Sequence, residues 1–304
     1  MGYSDKAYQT FEEKLYSMTD SMLQKQENVE MLFSELLSVL PNNGKLYKYK
    51  ALDSFHIDEL EEKYVWFSSA AKLNDKKDCT FNASAIEQMG EIATLYHGYI
   101  HDEDSFYDFM DMFFAQIKEV RNSMQVLSLT TSYKKDSMWA YYCNNKGICI
   151  EYDFNKVKTL KEKFFFSQMQ KVKYGAKKKY NFVDVIKLKS SGKEYSIQLA
   201  DRMIIEQLLT KDESWKMEDE WRVVMNDRGN YVGKRLETNI VSAIYLDFLI
   251  MQEEKAKRIV EIAKTNGWGI YIRWFDEYEA EYRYITLDCY QAILKQIENS
   301  ANNA

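Results

Sequence analysis

The spacing of the hydrophobic residues changes repeatedly along this chain, and these changes constrain the fold more than any other feature. In "VEMLFSELLSVL" the apolar residues recur at helical spacing, until Pro41 and the Asn-Asn-Gly after it end the pattern. "KLYKYKAL" (45–52) then alternates as a strand does. The two kinds of spacing predict strands at 46–50, 65–69, 126–131, 147–152 and 219–224, and helices at 84–122, 136–143 and 196–211. One proline and 11 glycines are few for an all-β protein, so we predict an α+β fold with a mixed or antiparallel sheet.

The composition is that of a globular chain. Hydrophobic residues make up 46% of the 304 residues and aromatic residues 15%, which is ample material for a core. No stretch has the Pro, Gly or Ser content of a domain linker. We therefore predict one domain, 1–304, with helices in 1–44, an α+β core in 45–290 that carries a helical insertion at 84–122, and a C-terminal tail at 291–304.

Charge and cysteine usage exclude several classes of protein. A net charge of −6 gives no general attraction to polyanions, and a solvated loop is the favoured interpretation of "KVKYGAKKKY" (171–180). The four cysteines show neither a CxxC pair nor zinc spacing, which is typical of reduced thiols and predicts a cytoplasmic protein. No apolar run is long enough to cross a membrane, so we expect no membrane partner. His97 and His101 lie four apart on a predicted helix, where a solvated face is favoured over a metal site, and we expect no metal ion.

The segment "ESWKMEDEWRVV" (213–224) is read as a strand that places Glu218, Glu220 and Arg222 on one face. If that face is exposed, an ion pair between Glu220 and Arg222 contributes only about 0–1 kcal/mol. If the face is buried, each charge requires a partner, and two carboxylates with one guanidinium leave one carboxylate over. The surplus carboxylate favours a functional site in this segment.

Candidate binding residues come from two other segments. The strand "LYKYK" carries aromatic rings on one face and amines on the other, and "VLSLTTS" carries hydroxyl groups. The predicted helix after "VLSLTTS" adds further aromatic rings. Taken alone, each pattern is more typical of core packing or helix capping. The candidates are Tyr47, Lys48, Lys50, Ser128, Thr130, Trp139 and Tyr142.

Along nearly its whole length the chain resembles the bacterial domain-of-unknown-function family 2971. The matching stretches are "LYKYK", "VWFSSAAKLND", "VLSLTTS", "SMWAYYCNNKGICIEYDF", "VKYG" and "WKMEDEWRVV". That family usually continues Asn-Asp with Pro-Phe-Glu, where this chain has "LNDKKD", and it usually carries arginine where this chain has Lys50.

The order of these segments also resembles, distantly, that of ADP-ribosyltransferase folds. Such folds open with a strand that holds NAD, then a helix and a strand, and later carry a Ser-Thr-Ser-like strand, a short helix, a strand and a Glu-x-Glu. Here "LYKYK", "DSFHIDELEEKY", "VWFSS", "LTTS", "SMWAYY", "GICIEYD" and "EDE" follow in that order. The resemblance implies an ADP-ribosyltransferase-like sheet, NAD as substrate, transfer of ADP-ribose or hydrolysis of NAD, and a setting in bacterial conflict or phage defence.

The same resemblance implies roles for the candidates. Glu220 would stabilise the positive charge that develops on the ribose, and Glu218 would orient the acceptor, a protein or a nucleic acid. The nucleotide would contact Tyr47, Lys48, Lys50, Ser128, Thr130, Trp139, Tyr142 and Arg222. Two alternatives stay open: a non-catalytic module that binds a nucleotide or a peptide, and, less favoured, a metal-dependent nuclease. The oligomeric state is left open as well.

Overall fold

A computed structural model of the chain describes residues 5–18, 20–23, 25–80, 90–91, 94, 97, 102–177, 182–227 and 232–302. These residues form an α+β body in which helices accompany a mixed, mostly antiparallel sheet of ten strands. The predicted α+β class with a mixed or antiparallel sheet is therefore confirmed. No helix in the described part of the chain combines the length and the apolar character that a membrane crossing requires.

The helices fall between and around the strands. The α-helices span Asp5–Ser17, Asp20–Leu23, Gln26–Val39, Ser54–Glu61, Glu103–Ser123, Asp136–Cys143, Leu160–Phe166, Phe182–Ser190, Glu194–Leu208, Glu254–Asn266 and Leu287–Asn302. Short 3-10 helices, called 3-10 turns below, span Ala70–Lys72, Phe154–Lys156, Glu213–Glu218 and Phe248–Ile250. Pro41–Gly44 is a kinked turn in which Asn42 and Asn43 have φ angles of 53° and 55°. Asparagine tolerates this left-handed backbone, which explains why the first helices end there.

The strands are numbered in chain order. They are β1 Lys45–Ala51, β2 Tyr64–Ser69, β3 Met124–Thr130, β4 Gly147–Asp153, β5 Gln170–Lys171, β6 Lys173–Tyr174, β7 Thr210–Lys211, β8 Glu220–Asn226, β9 Gly233–Glu237, β10 Val241–Asp247, β11 Gly269–Asp276 and β12 Glu281–Thr286. The large sheet has the order β12-β11-β10-β4-β1-β3-β2-β9, and β8 pairs with both β3 and β5. The β10–β11 pair is parallel, and β6 and β7 form a separate parallel pair.

The large sheet splits in its middle. β1 pairs along its whole length with β4, but it meets β3 at one position, Tyr47↔Thr130. β3 instead pairs along its whole length with β8, and β2 meets β3 at two positions near the start of β3. A gap therefore opens between β1, β2 and β3, and we call this gap the sheet fork.

Most of the predicted elements are confirmed. The five predicted strands lie within β1, β2, β3, β4 and β8, give or take one residue at an end. Of the predicted helix at 84–122, residues 103–122 lie in the helix Glu103–Ser123, and residues 84–89, 92–93, 95–96 and 98–101 lie outside the described residues. The segment 291–304, predicted as a tail, continues the helix Leu287–Asn302 up to residue 302.

The prediction that 213–224 is one strand is wrong in its first half. Residues Glu213–Glu218 form a 3-10 turn, whose start is capped by Asp212 accepting a hydrogen bond from the backbone N–H of Ser214 at 3.0 Å. Asp219 then takes a left-handed backbone with φ of 44°, and β8 begins at Glu220. The local capping bond and the left-handed residue override the alternation of polar and apolar side chains.

In the second half of this segment, alternate side chains pack into the core and hold the strand in place. The side chains of Trp221 and Val223 point into the main hydrophobic core, and Trp221 packs edge-on against Tyr8 with ring centroids 5.4 Å apart. Glu220 and Arg222, which alternate with Trp221 and Val223, face the sheet fork, although both are almost fully buried. The strand therefore holds two charged side chains rigidly inside the protein.

Candidate functional site

A cavity of about 220 Å³ lies at the sheet fork. Strands β1, β2 and β3 supply one side of its lining, and residues 72–78, the 3-10 turn at 213–218 and β8 supply much of the rest. The lining residues are Tyr47, Lys48, Tyr49, Ser68, Lys72, Leu73, Asn74, Asp75, Asp78, Val126, Ser128, Leu129, Thr130, Met138, Tyr142, Lys211, Trp215, Glu218, Glu220 and Arg222.

One end of the cavity is formed by five buried charged side chains. This charged cluster consists of Asp78, Lys211, Glu218, Glu220 and Arg222, each at most 5% exposed. Three carboxylates there meet two cations, so the cluster carries one surplus negative charge when all five groups are ionised. The surplus carboxylate expected for a buried segment 213–224 is therefore present, although Asp78 and Lys211 come from outside that segment.

Arg222 organises the cluster. Its Nε donates to Glu220 Oε1 at 2.6 Å and its Nη2 to Glu220 Oε2 at 2.9 Å. Its Nη1 and Nη2 also donate to the two carboxylate oxygens of Asp78 at 2.9 and 2.6 Å, and Nη1 donates to the carbonyl oxygen of Leu208 at 2.8 Å. Such two-pronged pairing fixes the planes of both carboxylates. Burial opposes ionisation, but the bond from Arg222 lowers the pKa of Asp78 to about 2.

Lys211 lies between the three carboxylates. Its Nζ is 2.6 Å from Glu218 Oε2 and 3.4 Å from both Glu220 Oε2 and Asp78 Oδ2. Against the effect of burial, these charges raise the pKa of Lys211, which therefore stays protonated. Among the described residues, no group of three or more His, Cys, Asp or Glu side chains is placed to hold a metal ion. The lysine ammonium is the cation that the three carboxylates share.

Glu218 and Glu220 differ in their protonation chemistry. Burial, together with the charge of Glu220, raises the pKa of Glu218. Burial also acts on Glu220, but Arg222 and then Lys211 outweigh it and lower the pKa of Glu220. Glu218 Oε1 accepts a hydrogen bond from the Tyr142 hydroxyl at 2.6 Å. Two neighbouring carboxyls with pKa values moved in opposite directions are a common arrangement at catalytic sites.

The end of β3 positions the 3-10 turn at 213–218 and the start of β8. The Thr130 hydroxyl donates to the carbonyl oxygen of Glu218, and the Thr131 hydroxyl donates to Asp219 Oδ2. Lys135 Nζ also donates to the Glu218 carbonyl oxygen, at 2.9 Å. The hydroxyl groups of "LTTS" therefore hold the backbone that carries the two glutamates.

Lys48 faces the same cavity from β1. Its Nζ donates to the carbonyl oxygen of Ser128 at 2.9 Å, which bridges the sheet fork. Burial and the nearby charge of Lys50 lower the pKa of Lys48 to about 8. The side chain is half-buried, in contrast to Lys50, which forms a fully buried ion pair with Glu59. The cavity is therefore basic on the β1 side and acidic on the β8 side.

The structure brings most of the predicted residues together. The cavity is lined by eight of the ten: Tyr47, Lys48, Ser128, Thr130, Tyr142, Glu218, Glu220 and Arg222. Tyr47 borders it, while its ring packs at 5.3 Å from that of Tyr133. A second cavity, of about 500 Å³, is lined by other segments of the chain.

Trp139 and Lys50 are not part of the cavity lining. Trp139 is fully buried, donates from Nε1 to the carbonyl oxygen of Tyr133 at 2.9 Å, and packs edge-on against Tyr49. It is a core residue, and the expectation that it contacts a ligand is not supported by its position. Lys50 is neutralised by Glu59 and has no free amine to offer.

Sequence reasoning missed two members of the charged cluster. Asp78 follows the "LND" stretch, and Lys211 precedes the 3-10 turn, and neither belongs to a recognisable motif. Trp215 was also missed as a wall residue; it lies on that turn, and the Lys211 ammonium sits 4.9 Å from its ring centroid. Two stretches of the sequence indicated these parts of the cavity wall. Asn74 and Asp75 belong to "LNDKKD", Trp215 belongs to "ESWKMEDE", and all three residues line the cavity.

Comparison with known proteins gives a partial match. No curated protein and no solved structure matches the chain. The likeness to ADP-ribosyltransferase folds therefore rests on the order of the segments alone. The model of a family described as "Protein of unknown function (DUF2971)" matches residues 138–223, the stretch that runs from the Asp136–Cys143 helix through Lys211, Glu218, Glu220 and Arg222.

Proposed function

We propose that the cavity binds the nicotinamide-ribose part of NAD. The protein cleaves the N-glycosidic bond between nicotinamide and ribose and passes ADP-ribose to water or to an acceptor. The observation that carries the proposal is the convergence of Glu218, Glu220, Ser128 and Tyr142 on one cavity at the sheet fork. These residues come from three separated segments of the chain, so their meeting is not a consequence of local sequence.

The charges of the site suit this reaction. Cleavage of an N-glycosidic bond develops positive charge on the sugar, as glycoside hydrolysis does. A buried cluster with one surplus negative charge stabilises such a charge, because its groups are already oriented and water is excluded. Arg222 holds the Glu220 carboxylate in a fixed plane, and Glu218, the group with the raised pKa, is suited to take a proton from the incoming acceptor hydroxyl or water.

The rest of the lining fits the remainder of the ligand. Lys48 offers an amine to a phosphate from the β1 side, and Tyr142 and Trp215 offer rings to a planar heterocycle. About 220 Å³ is below the roughly 300–1,000 Å³ of typical ligand pockets, so the cavity would take one part of a dinucleotide while the rest extends outward. The acceptor is a protein or a nucleic acid, and bacterial conflict or phage defence is the setting that the resemblance implies.

A second candidate function is a nucleotide-binding module without catalysis. One observation favours it: both carboxylate oxygens of Glu220 already accept hydrogen bonds from Arg222. A carboxylate engaged in this way has less capacity to bond a ribose hydroxyl. In this case the cavity would recognise its ligand through Lys48, Tyr142 and Trp215 and leave it intact.

Release of nicotinamide tests the proposal. Purified protein is incubated with NAD and with a cell lysate as acceptor pool, and both free nicotinamide and labelled macromolecules are measured. Glu220→Gln should lower the rate by roughly 10²–10³, the usual cost of one preorganised electrostatic contact. Glu218→Gln should reduce transfer to acceptors more than hydrolysis.

Two controls make the result specific. Glu237→Gln removes an exposed carboxylate at the end of β9 and should leave the rate unchanged. Thermal melts must show that all variants are folded. If the wild type releases no nicotinamide and labels nothing, but NAD quenches its tryptophan fluorescence, the protein is a nucleotide-binding module without catalysis. If Glu220→Gln is as active as the wild type, the assignment of Glu220 is wrong.

A further inference from the structure

Lys48 is placed unlike the other lysines of its strand. Lys45 is ion-paired with Glu151 at 2.7 Å, and Lys50 is ion-paired with Glu59. Lys48 donates instead to a neutral backbone carbonyl, that of Ser128, and its amine lies at the wall of the cavity. Within the described residues its side chain forms no ion pair, so no carboxylate in direct contact stabilises its protonated form.

We propose that Lys48 is a reactive amine that forms an imine with a small carbonyl compound, of the size of a pentose, that enters the cavity. The inference goes beyond the proposed glycosidic cleavage and does not depend on it, since any small aldehyde that fits would serve. A sugar with a free anomeric carbon belongs to this class, because its ring form is in equilibrium with an open-chain aldehyde.

The step balances without a further reagent. The lone pair of the neutral amine attacks the carbonyl carbon to give a carbinolamine. The oxygen then leaves as water, with the two hydrogens that the amine nitrogen loses, and a carbon–nitrogen double bond replaces the carbonyl. The reaction is reversible, so hydrolysis restores Lys48.

The surroundings of Lys48 favour the neutral amine that this chemistry requires. Desolvation is the main effect, and the positive charges of Lys50 on the same strand and of Arg222 on β8 add to it; Glu59 from the Ser54–Glu61 helix and Glu220 from β8 oppose it. With a pKa of about 8, Lys48 is neutral far more often at pH 7.5 than an ordinary lysine is. An ordinary lysine with a pKa of about 10.4 is neutral in roughly one molecule per thousand at that pH.

Reductive trapping tests the inference. The full chain is incubated with D-ribose 5-phosphate and sodium cyanoborohydride at pH 7.5, and peptide mass spectrometry measures the modification of each lysine. Lys48 should be labelled at least tenfold faster than Lys45, which lies on the same strand with its side chain 38% exposed but paired with Glu151. Measuring both lysines in one tube cancels the pH dependence of the reducing agent.

Two further measurements decide the outcome. The ratio of labelling at Lys48 to that at Lys45 should fall as the pH is raised from 7 to 10, because the pKa of Lys45 is raised by Glu151 and its amine becomes neutral only at high pH. Lys48→Arg, shown to be folded by its thermal melt, should lose the fast label. Labelling of Lys48 no faster than of Lys45, or a fast label that persists in Lys48→Arg, would overturn the proposal, whether or not the protein releases nicotinamide.

Discussion

Replacing Arg222 with methionine should destabilise the protein strongly, because it removes a buried charge. The substitution keeps much of the side-chain volume, so the loss comes from the missing charge. Arg222 is 1% exposed and donates four hydrogen bonds to the carboxylates of Glu220 and Asp78, at 2.6–2.9 Å. Removing one partner of a buried ion pair costs about 3–5 kcal/mol, because the remaining charge stays uncompensated. Lys211 Nζ still lies 3.4 Å from both carboxylates, so we expect the lower end of that range, about 3 kcal/mol.

Urea denaturation at pH 7 measures this loss, with Arg235→Met as the matched control. Arg235 lies on β9 with its side chain 40% exposed and pairs with Glu62 and Glu237. An exposed pair contributes about 0–1 kcal/mol, so the control should change the free energy of unfolding by no more than that. A loss at Arg222→Met that equals the loss at Arg235→Met would refute the account of a tightly paired cluster.

The pH dependence of the penalty gives an independent check. As the pH falls, Asp78 and Glu220 take up protons, and a neutral carboxyl needs no guanidinium beside it. The difference in unfolding free energy between wild type and Arg222→Met should therefore shrink below about pH 4. Adding Asp78→Asn and Glu220→Gln to Arg222→Met should recover at least half of the loss at pH 7. If it recovers nothing, the damage comes from packing and the charge argument fails.

Two further predictions follow from burial. The pKa of Asp78 is about 2 in the folded state against a usual value near 3.8, so its ionised form contributes about 2 kcal/mol at neutral pH. Because the folded pKa is depressed, this contribution is complete above about pH 4 and is lost as the pH falls towards 2. A series of urea midpoints should show a larger loss of stability in wild type than in Asp78→Asn, by about 2 kcal/mol. Trp139→Ala should cost about 3–5 kcal/mol in a thermal or urea melt, since Trp139 is fully buried in the core. A loss below 1 kcal/mol at Trp139 would mean that the side chain is not packed as described.

The sequence was sufficient for the fold class because alternation is a local signal. Leu46, Trp221 and Val223 each follow a period of two, and each is fully buried at the position that this period predicts. The alternation in "LYKYK" likewise separates Tyr47 and Tyr49, which pack with Trp139, from Lys48 and Lys50 on the other face. Hydrophobic spacing therefore located the strands and the faces of β1 and β8.

The same reasoning could not locate the whole site. Glu218 reaches the charged cluster from a 3-10 turn, because Asp219 takes a left-handed backbone that no alternation reveals. Asp78 and Lys211 join through tertiary contacts with Arg222 and Glu220, and although "LNDKKD" ends at Asp78, no local pattern indicates those partners. The ring of Trp139 fills the core, and from sequence alone an aromatic ring near a strand looks the same whether it lines a cavity or packs in a core.

The sheet fork also has a consequence for how the chain folds. β3 must pair with β8, almost a hundred residues later in the sequence, before Arg222 of β8 can meet Asp78. Pairings at such separation form slowly, because closing a long loop costs entropy before any contact stabilises the paired strands. We therefore expect the charged residues to remain hydrated until late in folding, and the hydrogen exchange of β3 amides to gain protection in the same kinetic phase as that of β8.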